Sequence, residues 1–358
     1  MVAMLAVFIF GIAAFGIDLT RALVVRNEVQ NAADAAALAG AGVLFPPVAG
    51  QPNWTAARTL AGTQVRSNKS EGVALATVTT SVGFWNIVTR SSAWDTSITP
   101  GANDVPALKV VVERDTGLNS GPMLMSFGRL LGFNEMPAGA TAVAIITWPA
   151  SAGPGALAPY AMSKCVLDNF WDSTTGLPRG DANGTYELVL GNKNECRPAP
   201  ANCDCGQWTS LDLDTTDVPT VRDLMVNGNG TSLSIGDPIF IQPGMKSTSY
   251  GDFDSQLGGK NVTIPVVDTA TCDLATKGEC PIVAYACFHV DYAVQGGQKT
   301  NCQNGTLRTP PITRTYVDPL DDNKCIVGYL VAGACRIPGG GGGGGTYYGS
   351  YVPPRLGQ

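Results

Sequence analysis

The chain has 358 residues, long enough for two domains once any N-terminal stem is set aside, and its 43 glycines, 24 prolines and 15% charged residues point to turn-rich β structure rather than helical bundles. Its net charge of −6 argues against a nucleic-acid binder, because neutralising phosphates needs a basic surface and no run of clustered lysine and arginine is present.

Residues 1–17 are apolar, with no charge and no proline. At about 1.5 Å per residue they cover roughly 25 Å against a hydrocarbon core of about 30 Å, which is marginal for spanning a bilayer alone. Asp18, Arg21 and Arg26 follow while helical spacing continues through Leu19, Ala22, Leu23, Val29 and Ala33, so signal cleavage after the apolar run is not expected. A short basic leader is expected to have been removed ahead of Met1, the alternative being a start inside a longer apolar arm. One helix of about 60 Å is predicted. Its second half is lined with alanine and glycine, which lets a neighbouring helix approach closely. The plain reading is a membrane anchor with a juxtamembrane helix; the sharper one is a helix that leaves the membrane and packs with its copies in a filament core.

Gly16-Ile17-Asp18-Leu19, then Arg21, then the run Val25-Arg26-Asn27-Glu28-Val29-Gln30-Asn31-Ala32-Ala33-Asp34-Ala35-Ala36-Ala37-Leu38-Ala39-Gly40-Ala41 resembles the N-terminal segment of the TadE/TadG-like family. That family is associated with assembly of tight-adherence (Flp/Tad) pili. The resemblance implies a pilin-like protein that packs against copies of itself through Phe8, Phe10, Phe15, Leu19, Leu23, Ala32, Ala36, Ala39 and Gly40. Its other implied partners are further pilus-assembly proteins and, before assembly, the inner membrane. The implied location is the cell surface or an extracellular filament, and the implied purpose is adhesion. Looser landmarks of the family's secreted segment are Gly191-Asn192, Gly244 and Ile264-Pro265-Val266-Val267. Two departures stand out: Leu5 occupies the position where mature type IV pilins commonly carry glutamate, and the Asp-x-Ser-x-Ser string of a von Willebrand A metal site is missing.

Pro46, Pro47 and Pro52 end the stem, and residues 56–65 read as a short helix packed back on it. Residues 73–79 read as a strand. Leu108, Val110 and Val112 alternate with Lys109, Val111 and Glu113 in the pattern of a strand with one buried face. Pro122 is expected to open a helix with Leu124, Phe127 and Leu131 on one side, and residues 142–148 form a third strand. Ser151-Ala152-Gly153-Pro154-Gly155-Ala156 reads as a linker. Beyond it, strands are expected at 186–190, 238–242, 262–267, 282–294 and 325–331, the fourth being central, with Tyr285, Cys287 and His289 on one face and Ala284, Ala286, Phe288 and Val290 on the other.

The expected fold class is α+β: a hydrophobic anchor and stem helix over residues 1–44, a pilin-like α+β domain over 45–150, a linker over 151–157, a Cys-rich, mainly-β domain over 158–336, and a Gly-rich tail over 337–358. None of the ten cysteines (Cys165, Cys196, Cys203, Cys205, Cys272, Cys280, Cys287, Cys302, Cys325 and Cys335) lies before residue 165. An even number confined to one segment behind an apolar run fits disulfides of unassigned pairing formed in an oxidising compartment. The glycine run at 339–345 reads as a flexible linker, with Tyr347, Tyr348 and Tyr351 beyond it available to contact another subunit.

No catalytic residue, metal site or cofactor is expected. His289 is the single histidine and sits inside a strand pattern, and no Cys-x-x-Cys, nucleophile elbow, phosphate loop or His-Glu-x-x-His string occurs. Asp212, Asp214 and Asp217, and separately Asp318, Asp321 and Asp322, read as solvated turns with calcium as the rival. Asn53, Asn68, Asn183, Asn229, Asn261 and Asn304 head acceptor-type sequons. The non-filament alternatives are a permanently membrane-anchored assembly or minor-pilin protein, and a secreted carbohydrate-binding module that presents distal tyrosines and tryptophans.

Overall fold

The computed structural model describes residues 2–47, 51–101, 103–181, 184–191, 196–197, 205–215, 217–243, 248–295, 314–315, 324–343 and 345–357, with the backbone alone for 2–13, 131, 181, 191, 196–197 and 314–315. The chain divides into two compact units: residues 1–45, 52–146 and 354–358 form the first, and residues 46–51 and 147–353 the second.

The first unit is built on helix α1 (Val2–Ala41), 40 residues without interruption. From Val25 onward α1 buries one face, Val25, Val29, Ala32, Ala33, Ala36, Ala37 and Ala41, at the three- and four-residue spacing of a helix stripe. This stripe packs on helix α2 (Trp54–Arg66) and on an antiparallel sheet whose main strands are β1 (Thr79–Asn86), β2 (Asp104–Arg114) and β5 (Ala138–Ile145). The short strands Ser92–Ala93 and Arg355–Leu356 close the two edges. Asn53 caps α2 by accepting the Ala56 N–H at 3.1 Å, and Ala57, Ala61 and Val65 face inward.

Two expectations are corrected in this unit. Of residues 73–78, only Val73–Ala74 pair as a strand, against Lys69–Ser70, and β1 starts at Thr79. The intervening backbone is satisfied by a side chain instead of a neighbouring strand: Asn119 Oδ1 accepts the Ala76 and Thr77 N–H groups at 2.8 and 2.7 Å, and its Nδ2 donates to the carbonyls of Thr77 and Glu113. The helix expected after Pro122 is a hairpin of β3 (Met123–Leu124) and β4 (Glu135–Met136) with one 3₁₀ turn, Gly128–Leu131, at its tip. Gly132, at φ 85°, ends that turn in a conformation open to glycine.

The second unit is mainly β. Its large sheet runs in the order Cys196–Arg197, β7 (Leu188–Gly191), β12 (Cys325–Leu330), β11 (Gly278–Val294), β10 (Asn261–Val267), β6 (Tyr160–Ser163) and β8 (Gly206–Trp208), with β6 parallel to β10 and the other pairs antiparallel. β11 is central, as its two-faced alternation predicted, and also pairs with β9 (Pro238–Ile241) and β13 (Tyr347–Tyr348). Ala284, Ala286, Phe288 and Val290 enter one core together with Trp208, Tyr250 and Phe253, whereas Tyr285 enters a second core with Ile239 and Ile241. Helices α3 (Lys164–Phe170), α4 (Val218–Asn227) and α5 (Thr248–Leu257) complete this unit.

The expected linker is part of this unit. Ser151–Ala152 pair with Leu233–Ser234, and Ala152 is buried. The glycine run is also built in: Gly341 O accepts from Ala150 N at 2.8 Å, Gly341 N donates to Ser151 Oγ at 2.6 Å, and Gly343 N donates to Trp148 O at 3.1 Å. A Cβ on Gly340 would lie 2.5 Å from the Ser151 carbonyl oxygen, so close backbone approach is what glycine serves here, in place of the flexibility expected of it.

Candidate functional site

The N-terminal half of α1 has a different surface from its C-terminal half. Between residues 14 and 24 the single buried residue is Asp18, while Phe15, Ile17, Leu19, Leu23 and Val24 are exposed. Asp18 points into the turn of the β3–β4 hairpin, where Oδ1 accepts the Ser126 N–H at 2.9 Å and Oδ2 accepts those of Phe127 and Gly128 at 2.8 and 2.7 Å. Burial pushes this carboxyl up, but the three backbone donors, helped by Arg21, outweigh it and hold the group below the ordinary aspartate value.

Arg21 lies one turn along. Its guanidinium donates to Ser126 Oγ at 2.7 Å and pairs with Glu71 Oε1 at 2.7 Å. The other Glu71 oxygen takes Arg114 at 2.9 Å, and the Glu71 N–H donates to Glu28 Oε2 at 2.8 Å. Glu71 sits at φ 49°, a strained backbone position for a side-chain-bearing residue, at a point where two arginines and a glutamate converge. Burial raises the Glu71 carboxyl and the bonds from Arg21 and Arg114 lower it further than that, leaving it below its ordinary value.

Grooves flank α1 here. One, of about 530 Å³, is lined by Gly16, Ile17, Thr20, Arg21, Val24 and Glu71 among others. Another, of about 230 Å³, lies between Ala22 and Arg26 of α1 and Met123, Met136 and Pro137 of the hairpin. A Cβ added at Gly16 meets nothing within 4 Å. The hairpin adds exposed Leu124, Phe127, Leu130, Phe133 and Met136, residues that sequence reasoning had assigned to a helix face or had not singled out. The signal for them was the string Phe127-Gly128-Arg129-Leu130-Leu131-Gly132-Phe133, too apolar on all sides for a one-sided helix.

The residues expected to pack between copies therefore separate into two sets. Ala32, Ala36 and Gly40 are covered by the chain itself, and Ala39 is half-buried. A Cβ on Gly40 would collide with the Leu108 side chain and come within 2.7 Å of the Ala57 carbonyl oxygen. This small-residue stripe packs α1 closely inside its own domain. Phe15, Leu19 and Leu23 are exposed. The side chains of Phe8 and Phe10, and of the rest of residues 1–13, lie outside the described residues. Among the described residues no helix is long and apolar enough to cross a membrane.

The tail tyrosines make contacts within their own unit. Tyr347 pairs alongside Tyr285, its ring lies 4.2 Å from that of Trp148 and 5.5 Å from that of Trp171, Tyr348 is buried and Tyr351 half-buried, all within the second unit. Among the cysteines, Cys272 is bonded to Cys280 and Cys287 to Cys335, and Cys165, Cys205 and Cys325 are also in disulfides. Cys203, Cys302 and the side chain of Cys196 lie outside the described residues. With Cys287 oxidised, no thiol remains there to act with His289. That imidazole is buried, with Nδ1 2.7 Å from Asn261 Oδ1, Nε2 3.6 Å from Asp291 and its ring 4.8 Å from Tyr329.

Asp217 caps α4 by accepting the Thr220 N–H at 2.6 Å, Asp212 accepts from Thr231, and no group of three potential metal ligands occurs among the described residues. Asp318, Asp321 and Asp322 lie outside the described residues, as do the sequon heads Asn183 and Asn304 and the landmarks Asn192 and Gly244.

Comparison with known proteins adds one finding. Residues 1–43 match the Tad family, described as "Putative Flp pilus-assembly TadE/G-like". No curated protein matches the chain, and no solved structure matches it. The match covers α1 and ends where the helix turns toward α2.

Proposed function

We propose that this chain is a pilin-like structural subunit of a Tad-type pilus or a related surface filament, assembling through α1 and serving adhesion. The observation that carries the reading is the division of α1. Its alanine-rich half is consumed by the chain's own sheet and α2, whereas the half around Phe15, Leu19 and Leu23 leaves large apolar side chains and the open Gly16 groove uncovered. An apolar helix face of this kind favours burial against a partner helix or lipid. The family matched by residues 1–43 is one of pilus assembly, not an enzyme family, which supports pilus components as partners and a surface location. In this reading α1 is held in the inner membrane before assembly and then packs with copies of itself, and the disulfide-stapled unit faces outward.

Electron microscopy of filaments sheared from cells, with their peptides identified by mass spectrometry, tests it. Recovery of this chain in the sheared filaments is the expected result; recovery only in the detergent-extracted membrane fraction overturns it. That second outcome is the one required by the alternative, a permanently anchored assembly or minor-pilin protein. A carbohydrate-binding module is less well supported, because Trp171, Trp208 and Tyr348 are buried in the core of the second unit.

A further inference from the structure

The tip of the β3–β4 hairpin is more apolar than the fold requires. Leu130 is 85% exposed and Phe133 64%, with Leu124 and Phe127 also exposed, while Met123 and Met125 turn inward. Between Ser126 and Asn134 the one charged residue is Arg129, and it is exposed.

Asp18 sets the position of this tip. Its three bonds to the backbone of Ser126, Phe127 and Gly128 hold the turn against α1 at the residue where the uncharged run of residues 1–17 ends. Arg21 ties the same turn through Ser126 Oγ and, at 3.4 Å, the Leu124 carbonyl. Phe15, Ile17 and Leu19 are exposed on α1 around the same level.

The tip is also short of unpaired backbone donors. Met125 N donates to Asn134 O at 3.0 Å, Leu130 N to Phe127 O at 3.0 Å, Gly132 N to Arg129 O at 3.2 Å and Phe133 N to Gly128 O at 3.0 Å, while Asp18 takes the three N–H groups of residues 126–128. Water makes no such demand on a loop, but an apolar medium does, because each unpaired peptide group there is costly. Leucines and phenylalanines around a lone arginine are the composition of a segment lying in a bilayer interface, the arginine reaching phosphate while the rings and aliphatic chains enter the acyl boundary.

We propose that the hairpin tip, through Phe127, Leu130 and Phe133, seats in the interfacial layer of a phospholipid bilayer, with Arg129 at the headgroup phosphates. This rests on the reading that residues before Asp18 are in the membrane before assembly. The tip then acts as a second foothold beside α1 and fixes the rotation of the first unit about the helix.

The full chain, reconstituted in mixed phosphatidylcholine/phosphatidylglycerol vesicles, tests this with one tryptophan added at a time by Leu130→Trp, Phe133→Trp or Phe8→Trp, the emission of the unsubstituted chain's six native tryptophans being subtracted as background. The expected result is that the added emission at 130 and 133 falls about twofold or more with lipids brominated near the headgroup, and less with lipids brominated near the chain ends, as for an interfacial segment. Quenching at Phe8→Trp without quenching at 130 or 133 overturns the tip contact and leaves the anchored helix standing. Quenching at none of the three removes the anchored helix and the tip contact together. Protection of 130 and 133 from both brominated lipid and aqueous iodide means that another copy of the chain covers the tip, which also overturns the proposal.

Discussion

Asp18 Oδ2 lies 2.7 Å from the backbone nitrogen of Gly128, joining the end of the apolar run on α1 to a turn 110 residues later. Because two further amides converge on the same carboxylate, the side chain acts as a cap supplied from a distant element. Asp18→Asn keeps the shape but presents an amide whose nitrogen faces N–H donors. We expect hydrogen exchange at Ser126, Phe127 and Gly128 to accelerate about tenfold or more in Asp18→Asn, with β1 and β2 unchanged. Unaltered protection of these three amides would mean that the turn holds itself.

The pH dependence of the hairpin follows from the direction of two shifts. Asp18 and Glu71 both titrate below their ordinary values in the folded chain, so between folded and unfolded values the unfolded chain binds more protons. Their contribution is therefore complete above the ordinary carboxylate values, about pH 4 to 4.5, and is lost as pH falls through the lower folded values. Exchange rates corrected for intrinsic pH effects should show hairpin protection level from neutral pH down to that range and falling below it. A loss beginning near pH 6 would assign the effect to other groups.

Glu71 is the junction between α1 and the sheet, since one oxygen holds Arg21 and the other holds the nearly buried Arg114. Glu71→Gln leaves Arg114 with Ser70 Oγ and the Gly121 carbonyl but without a counter-charge. The expected loss is about 1–2 kcal/mol, reduced from the fully buried case because Glu71 itself is partly solvated. Urea unfolding followed at the amides of residues 79–86 measures it, and a midpoint equal to that of the unsubstituted chain contradicts the junction.

Two glycines of α1 are expected to respond in opposite ways. Gly40→Ala drives a methyl group into Leu108 and the Ala57 carbonyl, and should destabilise the first unit by about 1–3 kcal/mol. Gly16→Leu meets open space and replaces a poor helix former, so stability should hold or rise by up to about 1 kcal/mol while the yield of sheared filaments falls. Filaments at normal yield from Gly16→Leu would remove this stretch of α1 from the assembly contact.

Loop length sets the expectation for the disulfides. Cys287–Cys335 closes a separation of 48 residues and Cys272–Cys280 one of 8. In the chain-entropy account the first contributes about 4 kcal/mol and the second about 2.5 kcal/mol. Paired serine substitutions compared by urea denaturation should keep that order, and a larger loss from the short loop would point to an enthalpic origin.

What was readable in the sequence was whatever depends on local pattern. β2 and β11 carry alternation strong enough to give both their existence and their faces, and α1 carries an unbroken helical period. The misread segments are all ones whose partner is remote. Ala76 and Thr77 look like strand but bond to the Asn119 side chain, and the hairpin turn depends on Asp18 far upstream. The glycine run is recognisable as a close-packed segment only when Trp148 and Ser151 lie beside it. The alanine stripe is legible as a packing surface, but periodicity identifies a face without saying what covers it. A sheet within the same chain and a neighbouring helix both select small residues.

Asn229 carries the last prediction. It heads an Asn-Gly-Thr sequon, yet its side chain is buried. Its Oδ1 accepts the Ala156 and Leu157 N–H groups at 2.9 and 3.0 Å, and its Nδ2 donates to the carbonyls of Gly153 at 2.9 Å and Thr231 at 2.6 Å. All four polar positions of the amide are used, so no nitrogen is left accessible for a sugar. Asn229→Asp replaces two donors by an acceptor facing two carbonyls, and an unpaired buried polar group is expected to cost about 1–3 kcal/mol, more when it is charged. Peptide mapping of the native protein should find Asn229 unmodified, and Asn229→Asp should lower the unfolding midpoint of the second unit while leaving the first unit's exchange pattern intact. A glycan at Asn229 would require that segment 153–157 be open when modification occurs.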